Sequence, residues 1–285
     1  MPVAIRTILA ATDFSEASRA AVQRAAALAA ARGARLVVAH VVNSAATHGL
    51  AGSATMLRDA LEEERSSVRR ALEAACAESG ASPLVLDGYP DEQIVEASRA
   101  EAADLVVVGS HGADRIERLL LGSVAENVVR ASAIPVLVGR GAPAAGFDRV
   151  LVATDFSEPA EHALDLALEL AAPRARVDVL DVVQLPAWTA SDGAFMLDET
   201  LVRDLEDDAR RRGVELLARK RRDGIDLRLT VQIGTPRDGI LRALHEGQDL
   251  VALGTHGRRG FRRLLLGSVA GTVLRHAPCS VLITR

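Results

Sequence analysis

Lysine is nearly missing from this chain. Lys220 is the only one among 34 basic residues, and arginine supplies the rest. A Walker-type phosphate loop, which needs a Gly-Lys-Ser/Thr string, is excluded, and lysine Schiff-base chemistry is disfavoured. Aromatic residues make up only 2%, too few for the stacking platforms of a single-strand nucleic-acid binder. The net charge of −4 gives no general attraction to nucleic acid or to an anionic membrane. Cysteine is limited to Cys76 and Cys279, far apart in sequence. That is no disulfide framework, and reduced thiols in a cytoplasmic protein are the expectation. No apolar run approaches the ~20 residues of a membrane span. The stretch from Met1 to Arg6 lacks the basic start and apolar core of a signal peptide.

What remains is an ordinary globular composition, 49% hydrophobic and 25% charged over 285 residues, enough for two domains of common size. The order of parts repeats. Ala11-Thr12-Asp13-Phe14-Ser15-Glu16 returns as Ala153-Thr154-Asp155-Phe156-Ser157-Glu158, and Leu119 to Ala125 returns as Leu264 to Ala270. Gly109-x-x-Gly112, nine residues, then Gly122-Ser123 returns as Gly254-x-x-Gly257, nine residues, then Gly267-Ser268. This is a duplicated domain rather than a short-period solenoid. The copies are assigned to residues 1–142 and 147–285, with the Gly/Ala/Pro stretch 141–146 as a linker.

Each copy alternates apolar strands with helical patterns. In the first, strands are expected at Thr7 to Ala11, Leu36 to Val42, Leu84 to Asp87, Leu105 to Val108 and Pro135 to Val138. Helices fall at about Ala17 to Arg32, Met56 to Ser79, Asp91 to Ala100 and Ser123 to Ala131. The second copy offers strands at Val150 to Ala153, Val177 to Val183, Leu227 to Ile233, Leu250 to Leu253 and Ser280 to Ile283. Ala163, Leu164, Ala167, Leu168 and Ala171 can share one face of its first helix. Such alternation predicts an α/β fold: two tandem, doubly wound domains, each a parallel sheet with helices on both faces.

In open parallel sheets ligands bind beyond the strand C-termini, where strand order reverses. Asp13 and Asp155 follow the first strand of each copy, and Gly109 and Gly254 follow the fourth. A carboxylate there suits ribose or base. A Gly-rich turn leading to a helix start suits phosphate, because free N–H groups point at the anion. Plainer readings stand beside this one. Asp before a helix is an ordinary turn residue. Ser123-Val124-Ala125-Glu126 reads as a capping box, which Ser268 lacks because Gly271 stands where Glu126 does. His111 and His256 lie inside the Gly-x-x-Gly turns, and His40 aligns with Asp181, but no Cys/His cluster has ligand spacing and no metal site is expected. The second loop carries Arg258, Arg259, Arg262 and Arg263, where the first carries Asp114, Arg115, Glu117 and Arg118. These arginines suit phosphate, and equally a solvated surface or an inter-domain contact.

The string Gly-x-x-Gly, nine residues, Gly-Ser resembles the ATP-binding signature of the universal stress protein family. Thr12 to Ser15, Val38 to Val42, Val108 to Gly112, Leu121 to Val124 and their second-copy counterparts extend the resemblance over nearly the whole chain. It implies two five-stranded sheets ordered 3-2-1-4-5, each with adenine nucleotide (ATP, ADP or AMP, with or without Mg) between strands 1 and 4. Carried over by position, Asp13 and Val41 would meet the adenosine, and Gly109, Gly112, Gly122 and Ser123 the ribose and phosphates. Asp155, Val182, Gly254, Gly257, Gly267 and Ser268 form the second set. The resemblance also implies that fifth strands pair, so a pseudo-dimer of the two domains and a further homodimer are expected.

The function expected on these grounds is ATP binding by a cytoplasmic stress-response module whose nucleotide occupancy alters conformation or partners. Two alternatives stand beside it. One is a slow Mg-dependent ATPase, for which no second acidic residue in the motif suggests a metal site. The other is a chaperone-like or structural dimer that holds no nucleotide. No catalytic residue is assigned.

Overall fold

The computed structural model describes residues 4–43, 54–111, 121–185, 199–255 and 266–285. The chain divides into two compact units, residues 4–145 and 146–285.

The first unit contains β1 (Thr7–Ala11), α1 (Glu16–Arg32), β2 (Arg35–Val42), α2 (Ala54–Cys76), β3 (Ser82–Asp87), α3 (Pro90–Ala100), β4 (Leu105–Gly109), α4 (Ser123–Ala131) and β5 (Val136–Gly139). Its strands pair in parallel as β3-β2-β1-β4-β5. The second contains β6 (Phe147–Thr154), α5 (Glu158–Leu170), β7 (Ala171–Val183), α6 (Glu199–Lys220), β8 (Asp226–Ile233), α7 (Pro236–Leu244), β9 (Leu250–Gly254), α8 (Ser268–His276) and β10 (Ser280–Thr284). Its strands pair in parallel as β8-β7-β6-β9-β10. Each sheet therefore has the order 3-2-1-4-5. Right-handed crossovers put the first two helices of a unit on one face and the last two on the other.

Both faces being covered, the central strands are apolar throughout. Ile8, Leu9, Ala10, Val106 and Val107 are buried, as are Val150, Val152, Val251 and Ala252. At the N-terminal sheet edge a carboxylate fastens strand 1 to strand 4 in each unit. Asp104 Oδ2 accepts from the N–H groups of Arg6 and Thr7 at 2.8 and 2.9 Å. Asp249 accepts from those of Asp148 and Arg149 at 2.8 and 3.1 Å.

Helix α1 begins at an N-cap, with Ser15 Oγ accepting from the Ser18 N–H. It ends at Gly33, whose φ of 62° supplies the left-handed turn. From the same helix Arg24 donates to the carbonyls of Arg140 and Ala142, and Arg32 to that of Ala145. The segment after β5 is thus held along α1.

Two local expectations need correction. Ser123 is not a capping-box N-cap. Gly122 is the N-cap, Ser123 opens the helix, and no side chain caps it. Strand β7 starts at Ala171, directly after α5, and not at Val177. Its early entry pairs Ala171 with Phe147. The backbone comes so close that a Cβ on Gly146 would stand 2.8 Å from the Ala172 Cα.

Candidate nucleotide site

The Thr-Asp-Phe-Ser strings make the same turn twice. Thr12 Oγ accepts from the Phe14 N–H at 3.0 Å, and Thr154 Oγ from the Phe156 N–H at 2.9 Å. These bonds hold the phenylalanines at φ of 62° and 59°, a region that non-glycine residues rarely enter. Asp13 Oδ1 accepts from the Ser15 N–H at 3.0 Å. Asp155 Oδ1 accepts from both the N–H and the hydroxyl of Ser157, at 3.1 and 2.6 Å. Each aspartate is therefore a turn residue and, at the same time, a carboxylate at the C-terminal end of strand 1.

The other wall is the end of strand 4 and the start of the last helix. The Gly122 N–H donates to the Ser110 carbonyl at 2.7 Å, and the Gly267 N–H to the Thr255 carbonyl at 2.9 Å. Each bond brings the third glycine of the signature back beside the strand. The helical ladder then opens with Glu126 N–H on Gly122 and Gly271 N–H on Gly267. The N–H groups of residues 123–125 and 268–270 precede it, and such groups point along the axis out of the helix start.

These walls enclose a cavity in each unit. The first, of about 400 Å³, is lined by Asp13, Val41, Gly109, Gly122 and Ser123, with Thr12, Pro90, Ile94 and His111. The second, of about 580 Å³, is lined by Asp155, Val182, Gly254, Gly267 and Ser268, with Thr154, Pro236, Ile240 and Thr255. Ten of the twelve residues singled out in the sequence are thus brought together, five to a cavity. Gly112 and Gly257 lie outside the described residues, as do His256 and the charged residues of both loops.

Sequence reading missed part of the lining. The Pro90–Ile94 and Pro236–Ile240 pairs supply an apolar floor from the third helix of each unit. Their shared Pro-x-x-x-Ile spacing was the available signal. Ser18 was also missed. Its hydroxyl lies 3.1 Å from Thr12 Oγ and accepts from the Asp13 N–H at 3.3 Å.

The units differ beside the cavity. In the first, His40 Nδ1–H donates to the Thr12 carbonyl at 2.8 Å, and its ring stacks on Phe14 with centroids 4.7 Å apart. In the second, Asp181 holds the equivalent place. The cavity there reaches Asp208 and Arg212 of α6, which pair at 2.8 Å. Among the described residues no group of three or more His, Cys, Asp or Glu side chains is placed to hold a metal ion. No helix among them is long and apolar enough to cross a membrane.

Comparison with known proteins agrees with this architecture. A universal stress protein of Mycolicibacterium smegmatis is 29% identical over 289 residues, covering 98% of this chain and 96% of its own. The crystal structure of a universal stress protein from Archaeoglobus fulgidus superposes with a TM-score of 0.70 at 25% identity, covering 98% of both chains. That of a putative universal stress protein from Pseudomonas aeruginosa, at 19% identity and a TM-score of 0.67, shares the fold. The pattern of the universal stress protein family matches residues 4–140 and again 146–285, so the chain belongs to that family as a tandem, two-domain member.

Proposed function

We propose that the chain is a nucleotide-binding regulatory protein that takes adenine nucleotide, ATP or its lower phosphates, in each of its two cavities. The observation that carries this reading is the repeated convergence of three groups at the edge where strands 1 and 4 end. They are a carboxylate (Asp13, Asp155), the end of strand 2 (Val41, Val182), and a helix start preceded by glycine (Gly122-Ser123, Gly267-Ser268). A cavity of several hundred Å³ with an apolar floor and a few convergent polar groups is what a small ligand needs. The helix start offers partial positive charge and unpaired donors to a phosphate. The carboxylate can accept from ribose hydroxyls or a base amine. Occupancy would act as the signal, through conformation or partner choice.

Mass analysis of small molecules released from the purified chain, with calorimetric titration of ATP, tests the reading. Adenine nucleotide should co-purify or bind. Gly122→Val together with Gly267→Val should abolish uptake by blocking close backbone approach, with an unchanged circular dichroism spectrum. Full ATP affinity in that double variant would refute the assignment. Phosphate release with and without Mg²⁺ separates a binding protein from a slow ATPase.

A further inference from the structure

The only tyrosine of the chain stands at the rim of the first cavity. Tyr89 is the N-cap of α3, and its side chain makes no capping bond. The residue before it, Gly88, donates its N–H to the Val42 carbonyl at 3.1 Å, which ties this corner to the end of β2. The residue after it, Pro90, lines the cavity together with Val41. Asn127 Nδ2 donates to Asp91 Oδ2 at 2.8 Å, so the first turn of α3 is joined to α4 as well. The backbone of Tyr89 is thus anchored, while the residue as a whole is 57% exposed. A tyrosine ring offers roughly 150–250 Å² for burial and stacks best on a flat partner. In a chain with 2% aromatic residues, this ring is left mostly in water beside a cavity.

The second unit builds the same corner without the ring. The Gly234 N–H donates to the Val183 carbonyl at 3.0 Å, and Pro236 lines the cavity together with Val182. Thr235 is the N-cap there. Position for position, threonine stands where the first unit has tyrosine.

The place of the corner says which part of a ligand it meets. The start of α4 follows β4, whereas Tyr89 lies between β3 and α3, beside the end of β2. A ligand with its phosphate at Ser123 and its adenosine at Val41 turns its base toward Tyr89. We propose that Tyr89 is a specificity-determining residue, whose ring stacks on the flat base of the ligand in the first cavity. The second cavity, with Thr235, holds its ligand without that stack. The proposal rests on the nucleotide reading above and adds to it a means of selecting planar, aromatic ligands at one site.

Fluorine resonance spectroscopy and calorimetry of the whole chain test it. Because tyrosine occurs once, chain made with 3-fluorotyrosine gives a single resonance. Adenosine should move that resonance saturably. In calorimetric titration with adenosine, Tyr89→Thr should weaken one step of uptake about fivefold, the order of effect of an aromatic stack, and leave the other unchanged. Tyr89→Phe keeps the ring and should match wild type. The urea midpoint of Tyr89→Thr should also match wild type, since the replaced side chain is mostly in solvent. A resonance that stays in place while adenosine binds, or equal losses in the Phe and Thr variants, would overturn the stacking role and leave the nucleotide reading intact. A chain that takes up neither adenosine nor ATP would sink both.

Discussion

Gly109 stands directly against the peptide joining Ala17 to Ser18. A Cβ on Gly109 would lie 2.9 Å from both the Ala17 carbonyl carbon and the Ser18 nitrogen. The contact repeats in the second unit, where a Cβ on Gly254 would lie 2.8 Å from Pro159 Cβ and 3.1 Å from its carbonyl carbon. The first glycine of each signature therefore lets the first helix of its unit close onto strand 4. That packing sets the distance between the aspartate and the helix-start end of the cavity. Gly109→Ala must push backbone apart, since no flexible side-chain end is there to yield. A loss of about 1–3 kcal/mol is expected, the usual cost of overpacking, read as a lower urea midpoint. Gly33→Ala is a control of another kind. Its Cβ would meet nothing within 4 Å, but its φ of 62° is strained for alanine. Wild-type stability in Gly109→Ala would show that the helix is not seated as described.

At the opposite sheet edge, Asp104 and Asp249 each satisfy two successive strand N–H groups. Replacement by alanine leaves those donors without their charge-assisted acceptor, and each substitution should cost about 1–3 kcal/mol. The two sites lie in different units and share no partner, so their effects should add in Asp104→Ala/Asp249→Ala. Nucleotide uptake should be unchanged below the unfolding transition, because the carboxylates sit away from both cavities. Hydrogen exchange at Thr7 and Arg149 provides the local readout. Protection equal to wild type in the alanine variants would contradict the fastening role.

Much of this architecture was legible in the chain because it is written twice. Period and apolar runs located the strands, and the duplicated strings located the cavity walls. What stayed hidden depended on contacts between segments distant in sequence. Gly109 reads as a glycine making room for a ligand. Only the seated helix shows that the Ala17–Ser18 backbone occupies the space a side chain would need. Ser123-x-x-Glu126 reads as a capping box. The Ser110 carbonyl captures the Gly122 N–H and makes glycine the N-cap, one residue early. Glu126 then faces Arg130 at i+4 instead of the helix start. The front of β7 was hidden by Pro173 and by Arg174, which sits at φ 67°. Pairing of Phe147 with Ala171 supplies the strand there, against local propensity.

Asp226 and Arg228 form a pair on the outer strand β8, with Arg228 Nη2 2.6 Å and Nε 2.9 Å from Asp226 Oδ2. That hydrogen bond holds the Asp226 carboxyl below its usual range. Partial desolvation pulls the other way, and the charges of Arg228 and, across the strands, Arg176 add to the lowering. A carboxyl whose folded pKa is depressed contributes stability above its unfolded value of about 4 and loses it as the pH falls through the folded one. The contribution should therefore be present at neutral pH and fade in the acid range. Both side chains are about half exposed, so the effect on unfolding should be small and screened by salt. Carboxyl carbon chemical shifts give the direct measurement. Asp226 should titrate below an unstructured aspartate, Arg228→Gln should move its midpoint upward, and Arg176→Gln should move it less. An Asp226 midpoint unmoved by Arg228→Gln would show that the pair does not persist in solution.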